Sequence, residues 1–305
     1  MHKMLPTVKN ILDNFIKLKS KDKVLLIKDR IDNIFIEVFV EELKDRKIVF
    51  KEVLITENRN HSSPIPEVIE ELSWADVVIA PTTKSVTHSP EIKDAKERGA
   101  RIVTMPGITE EVFLKINKVD FEDIYKSCKK ILKQVINRDR VEITSKNGTD
   151  ISFSVKGRQW QGSEIEEGKG FARNLPVGEV YCAPVEDSAS GTIFIERFEN
   201  LIMPRDKAWV KVKNGKITKW NSGAEPFIKQ QSVDNGLIIG EFGIGLNKEH
   251  KTLMGNTLHD EKIHGSVHIA FGNNTGFGGK NKSSVHEDLI IMSPTVLIDG
   301  KNLKW

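Results

Sequence analysis

"KDKVLLIKD" (residues 21–29) sets four consecutive apolar residues, Val24 to Ile27, between charged ends. So short and compact an apolar run reads as a buried strand. Before it, "LPTVKNILDNFIKL" (5–18) carries apolar side chains at helical spacing. After it the pattern repeats: "IDNIFIEVFVEELKDR" suits a helix, "KIVFKEVLI" a strand, "PIPEVIEELSW" a helix entered through proline and "ADVVIAP" a strand. "SPEIKDAKERG" then reads as a helix ending at Gly99, and "ARIVTMPG" as a further strand. Strands alternating with helices predict an α/β domain, Rossmann-like, with a doubly wound and mostly parallel sheet.

Such sheets carry ligand groups in loops beyond the carboxyl ends of their strands. Here "APTTKSVTHSP" (80–90) and "MPGIT" (105–109) contribute Thr87, His88, Ser89 and Thr109, a polar set that either faces a cleft or serves turns and helix caps. No G-x-G-x-x-G follows the first strand, so a dinucleotide site has little support.

Past the charged helix "FEDIYKSCKKILKQVINRDR" the texture changes near residue 140. "VEITSKNGTDISFSVKGRQW" reads as a hairpin turning at "KNG", and β-prone runs continue to the end in "GEVYCAP", "GTIFIERF", "AWVKVKNGKITKW", "GLIIGEFGIGL", "SVHIAFG", "DLIIM" and "TVLIDG". The expected partition is an α/β domain over 1–139 and a β-rich metal-binding domain over 140–305. A chain of 305 residues has room for two cores.

Composition narrows the function classes. Lys and Arg total 46 against 43 Asp and Glu, and the hydrophobic fraction is 38%, so neither disorder nor a nucleic-acid surface is indicated. The two cysteines, Cys128 and Cys182, are far apart and outside any C-x-x-C, which fits a reducing compartment and argues against a thiolate zinc site. No stretch approaches the ~18 apolar residues of a membrane helix. These features predict a cytoplasmic protein with neither membrane nor nucleic-acid partner.

The polar residues that break the apolar pattern concentrate in the second half. Glu179 starts one apolar strand, Glu241 interrupts another between glycines, and His268 stands among Val267, Ile269 and Phe271. A carboxylate inside a strand loses several kcal/mol of hydration unless it is paired or metal-bound. In "SSVHEDLI" (283–290), His286 and Asp288 stand two apart, on one face of a strand, while Glu287 points to the other. With Glu261 they complete a set of four carboxylates and two imidazoles, joined through "FGNNTGFGGKNKSS" (271–284), a Gly-rich turn without the ending of a phosphate loop. Glu179, Glu241, Glu261, His268, His286 and Asp288 suit zinc, cobalt, manganese or iron, and are enough for two adjacent divalent ions activating a water for hydrolysis.

"THSPEIKDAKERGARIVTMPGIT", "PVGEVYCAPVEDSASGTI", "GEFGIGLN", "DEKIHGSVHIAFGNN" and "SSVHEDLI" together resemble the short members of the aminopeptidase T family, the leucyl aminopeptidase-like metallopeptidases. The resemblance runs from about residue 70 to the end. It implies cocatalytic metals on the same six residues, a small peptide or amino-acid-derived substrate, a homodimer, and Glu241 or Glu261 as the base. It also exposes a departure, because Thr275 stands where the family's peptidases have a tyrosine. A second branch of the fold, the dihydroxypyridine dioxygenase type, is similar around "GIGLN", "FGNNTGFGG" and the H-x-D pair. It implies one non-haem iron(II) held by two histidines and an aspartate, with a histidine where this chain has Glu241.

Overall fold

The computed structural model of the protein describes residues 2–60, 63–163, 170–198, 201–202 and 208–305. The chain divides into two compact units. The first comprises Met1–Phe121 together with a returning segment that carries the strand Phe171–Asn174. Its sheet is parallel throughout, in the order Val49–Leu54, Lys23–Lys28, Val77–Ala80, Arg101–Thr104, Phe171–Asn174. Both faces of its central strands are buried, as the unbroken apolar runs require. Leu25, Ile27, Val78 and Ile102 pack on one side with Val68, Leu72, Ile92 and Ala95 from the helices.

Local chemistry sets the helix ends. Asn33 caps Ile34–Asp45 by accepting from the Ile36 amide at 3.2 Å. Thr109 does the same for Glu110–Ile116 through the Val112 amide. Pro90 begins Pro90–Glu97, and Gly99 beyond it takes φ +105°, where a side chain would be strained.

The second unit holds residues 122–164 and 178–305 and contains an antiparallel seven-stranded sheet and an antiparallel five-stranded sheet. The "KNG" at 213 makes a two-residue hairpin turn with Asn214 at φ 50° and Gly215 at φ 74°, joining Trp209–Lys213 to Lys216–Trp220. Cys128 and Cys182 are both buried, and neither is in a disulfide. Among the described residues no helix is long and apolar enough to cross a membrane.

The expected boundary near 140 moves in two places. The helix Phe121–Val135 goes, from Glu122 onward, with the β-rich unit, where Gln134 exchanges hydrogen bonds of 2.9 Å with the backbone of Lys304. Phe171–Asn174 goes back to the parallel sheet, because its backbone pairs with Arg101–Thr104 along its whole length. "GTIFIERF" also divides, into Ser190–Phe194 and Arg197–Phe198 in different sheets.

Candidate metal centre

The five-stranded sheet of the second unit runs His286–Met292, Ser266–Gly272, Ile239–Gly245, Glu179–Cys182, Gln161–Gly162. Its register places Gly243 beside both His268 and Tyr181, Ala270 beside Asp288, and Gly245 beside Glu179. Residues directly opposite share a face. One face therefore presents His286, Asp288, His268, Glu241 and Glu179 among Ala270, Gly272, Gly243 and Gly245, whose small size leaves room for the polar groups. The other face carries Phe242, Ile244, Val267, Ile269 and Leu289, all buried. Alternation thus builds a polar wall on an apolar foundation.

A Cβ at Gly243 would lie 2.0 Å from His268 Nε2, so the absence of a side chain there is what lets the imidazole lie across the neighbouring strand. His268 Nε2 stands 3.2 Å from Glu241 Oε1 and 3.5 Å from Glu179 Oε2. His286 gives its Nδ1 proton to the Asn273 carbonyl at 2.7 Å. That bond turns Nε2 inward, 3.4 Å from Glu241 Oε2 and 4.0 Å from Asp288 Oδ1. Glu261 arrives from the turn after the short helix Thr257–Asp260.

All six expected residues are brought together. Two triads have ligand atoms within 4.8 Å of one another, Glu179, Glu261 and His268 in one and Glu241, His268 and Asp288 in the other. Asp288 Oδ1 is buried without a hydrogen-bond partner among the described residues. An orphaned carboxylate oxygen facing two imidazoles and a second carboxylate fits a bound divalent cation.

The clustered groups shift one another's protonation. Burial pushes the Asp288 carboxyl up, Glu261 pushes further, and the two imidazoles only partly compensate, leaving it at about 7. For Glu241 burial also works against the charge, but hydrogen bonds from His268 and His286 outweigh it and hold the carboxyl down to about 2. Burial opposes the imidazolium of His268, yet Glu241, Asp288 and Glu179 raise it to about 9. The same balance, with Glu241 and Asp288 as the main partners, raises His286 to about 10.

Several features were not expected from the sequence. Lys262 is buried, and its Nζ bonds Glu179 Oε1 at 2.7 Å and Glu261 Oε1. Burial opposes its charge, but the two carboxylates hold it protonated, above the ordinary lysine range. A lysine following an acidic pair reads as a solvated side chain, and no other signal marked it. Phe277 sets its ring edge-on to both Tyr181 and His286, at centroid distances of 5.7 and 6.0 Å. His264, beside the ligands in sequence, lies instead against Trp305 with ring centroids 6.1 Å apart. Thr275 is exposed and bonds Asn273 Oδ1 at 3.1 Å.

Of the first unit's polar set, Thr87, Ser89 and Thr109 serve the structure. Thr87 Oγ1 lies 2.7 Å from Thr104 Oγ1 and 2.8 Å from Asn174 Oδ1, and Ser89 donates to the Ser63 carbonyl. The sheet's switch point, between Lys23–Lys28 and Val77–Ala80, is bridged by Asn33 donating to the Pro81 carbonyl at 2.9 Å and by the Thr83 amide on Asp29.

With this centre and fold, the chain belongs to the thermophilic metalloprotease (M29) family, which it matches over residues 109–304. A curated relative, 2,5-dihydroxypyridine 5,6-dioxygenase of Pseudomonas putida KT2440, is 25% identical over 252 residues, 75% of this chain and 69% of that protein. Two solved structures share the fold. A 2,5-dihydroxypyridine dioxygenase from Pseudomonas putida KT2440 superposes with a TM-score of 0.81 at 18% identity, covering 98% of this chain and 94% of the other. Wild-type AmpT from Thermus thermophilus superposes with a TM-score of 0.66 at 17% identity, covering 99% and 96%. Family and relatives mark the chain as an enzyme, and the family implies divalent metal.

Proposed function

We propose that the chain is a metal-dependent hydrolase resembling aminopeptidases, cleaving an amide bond of a small peptide or amino-acid-derived substrate with an activated water. The observation that carries this reading is Glu241, an ionised carboxylate set between His268 and His286 and beside the unpartnered Asp288 oxygen. A divalent ion held by Glu241, His268, His286 and Asp288 would lower the pKa of a bound water toward neutrality and polarise a substrate carbonyl. The protein's own part is to orient and to move a proton. The Asn273 carbonyl fixes the His286 tautomer. Glu241 and Glu261 are the carboxylates placed to receive a proton from the water, Glu241 between the two imidazoles and Glu261 against Lys262.

A second reading has its own support. His268, His286 and Asp288 form a two-histidine, one-carboxylate set on one sheet face, the donor pattern of non-haem iron(II) oxygenases. The sequence similarity to the Pseudomonas dioxygenase favours the same chemistry. Purified protein loaded with zinc, cobalt or manganese should release p-nitroaniline from amino-acyl p-nitroanilides, and Glu241→Gln should abolish that release. If no amide substrate is cleaved, while anaerobically iron-loaded protein consumes oxygen with a dihydroxypyridine, the oxygenase reading replaces the hydrolase.

A further inference from the structure

We propose that the Lys262 ammonium takes the place of a second metal ion, so that the chain holds one divalent cation, on the Glu241, His268, His286 and Asp288 side, rather than two. The inference rests on the metal-centre reading above and concerns how many ions that centre admits.

The two triads share His268 but differ in what already fills them. In the first, Lys262 Nζ sits 2.7 Å from Glu179 Oε1 and is bonded to Glu261 Oε1, so one cation already spans both carboxylates. In the second, no lysine or arginine side chain ion-pairs with Glu241 or Asp288 among the described residues, and Asp288 Oδ1 has no hydrogen-bond partner. A divalent ion binds carboxylate oxygens at about 2.0–2.2 Å. An ion on Glu179 Oε1 and Glu261 Oε1 would therefore have to share both oxygens with Nζ, and repulsion between cations in a water-poor interior is severe.

Nor can the lysine readily swing away. It is 2% exposed, so withdrawal would break two charge-assisted hydrogen bonds inside the protein. The ammonium supplies the positive charge that Glu179 and Glu261 would otherwise take from an ion. The first metal goes where a carboxylate oxygen is still unpartnered.

The test is the number of ions bound by the full chain. Metal-free protein is titrated with zinc or manganese by calorimetry, and the bound metal is counted by mass spectrometry after desalting. Wild type should bind one ion per chain and Lys262→Ala two, with Lys262→Met as the second uncharged variant should the alanine protein fail to fold. Lys262→Arg, which keeps the charge, should bind one. Two ions in wild type would overturn the inference and leave the metal centre standing. A folded uncharged variant that still binds one would overturn it as well, since the ammonium would not be the obstacle. Wild type binding none would refute the metal-centre reading itself, and the inference with it.

Discussion

Two buried clusters of aspartate, histidine and cation lie in the second unit, and their difference separates scaffold from site. Around Asp260, both carboxylate oxygens are taken. The Met254 and Gly255 amides donate at 2.9 and 3.0 Å, His259 Nδ1 at 2.8 Å, and the wholly buried Arg197 stands 3.2 Å away. Around Asp288 stand His268, His286 and Glu241, but one carboxylate oxygen has no hydrogen-bond partner among the described residues, and His286 Nε2 is 4.0 Å off. Satisfied buried groups rigidify a fold, whereas unsatisfied ones are held at a cost. Asp260 therefore reads as scaffold, and Asp288 is the carboxylate left for the proposed cation.

The largest expected effect comes from breaking the buried ion pair at Asp260. Arg197→Met leaves Asp260 charged and without its guanidinium, and should cost about 3–5 kcal/mol of stability, read from urea unfolding. Metal stoichiometry should stay the same, and its loss would show that the two clusters are not separable. Asp288→Asn should act in the opposite way. Its metal affinity should fall by more than the roughly 10–100-fold typical of outer partners, while the metal-free protein melts at the same temperature or higher. A large drop in that melting temperature would break the contrast.

Glu186 sharpens the comparison as a third, satisfied carboxylate. Burial alone would raise it, but the Lys280 amide, the Asn274 side chain and Arg158 outweigh that and hold it below its ordinary value. Because its native pKa lies below the unfolded one, its stabilisation is complete above about pH 4.5 and fades as pH falls through the native value. Urea midpoints of wild type and Glu186→Gln should differ by about 1–2 kcal/mol near neutrality and converge on acidification. A gap that does not change with pH would mean that the ionised carboxylate is not what matters.

The smallest effect is expected at Glu287. It points away from His286 and Asp288, as strand alternation requires, and its Oε1 meets Arg197 Nη1 at 4.0 Å. Glu287→Gln should keep its metal and lose about 1 kcal/mol.

Much of this was legible in the sequence. The alternating runs of the first half and the β-rich second half correspond to the parallel and antiparallel sheets, and buried-charge logic brought out six residues that the structure gathers on one site. What escaped depended on contacts remote in sequence. "GKGFARNLP" carries no apolar run to announce Phe171–Asn174 as a strand, and its place is fixed by pairing with Arg101–Thr104. Lys262 reads as surface because nothing local reveals that Glu179, 83 residues away, waits for its ammonium. Arg197 and Asp260 were passed over for the same reason: each looks ordinary until the other is beside it.

The bare backbone at Gly243 has an evolutionary and an engineering consequence. Positions 243 and 268 form a coupled pair, in which a side chain at the first can be accommodated only by moving or shrinking the one at the second. Gly243→Ala alone should therefore displace the His268 ring, and the damage should be much smaller once position 268 is already alanine. The strand beneath the centre carries information through the side chain it lacks.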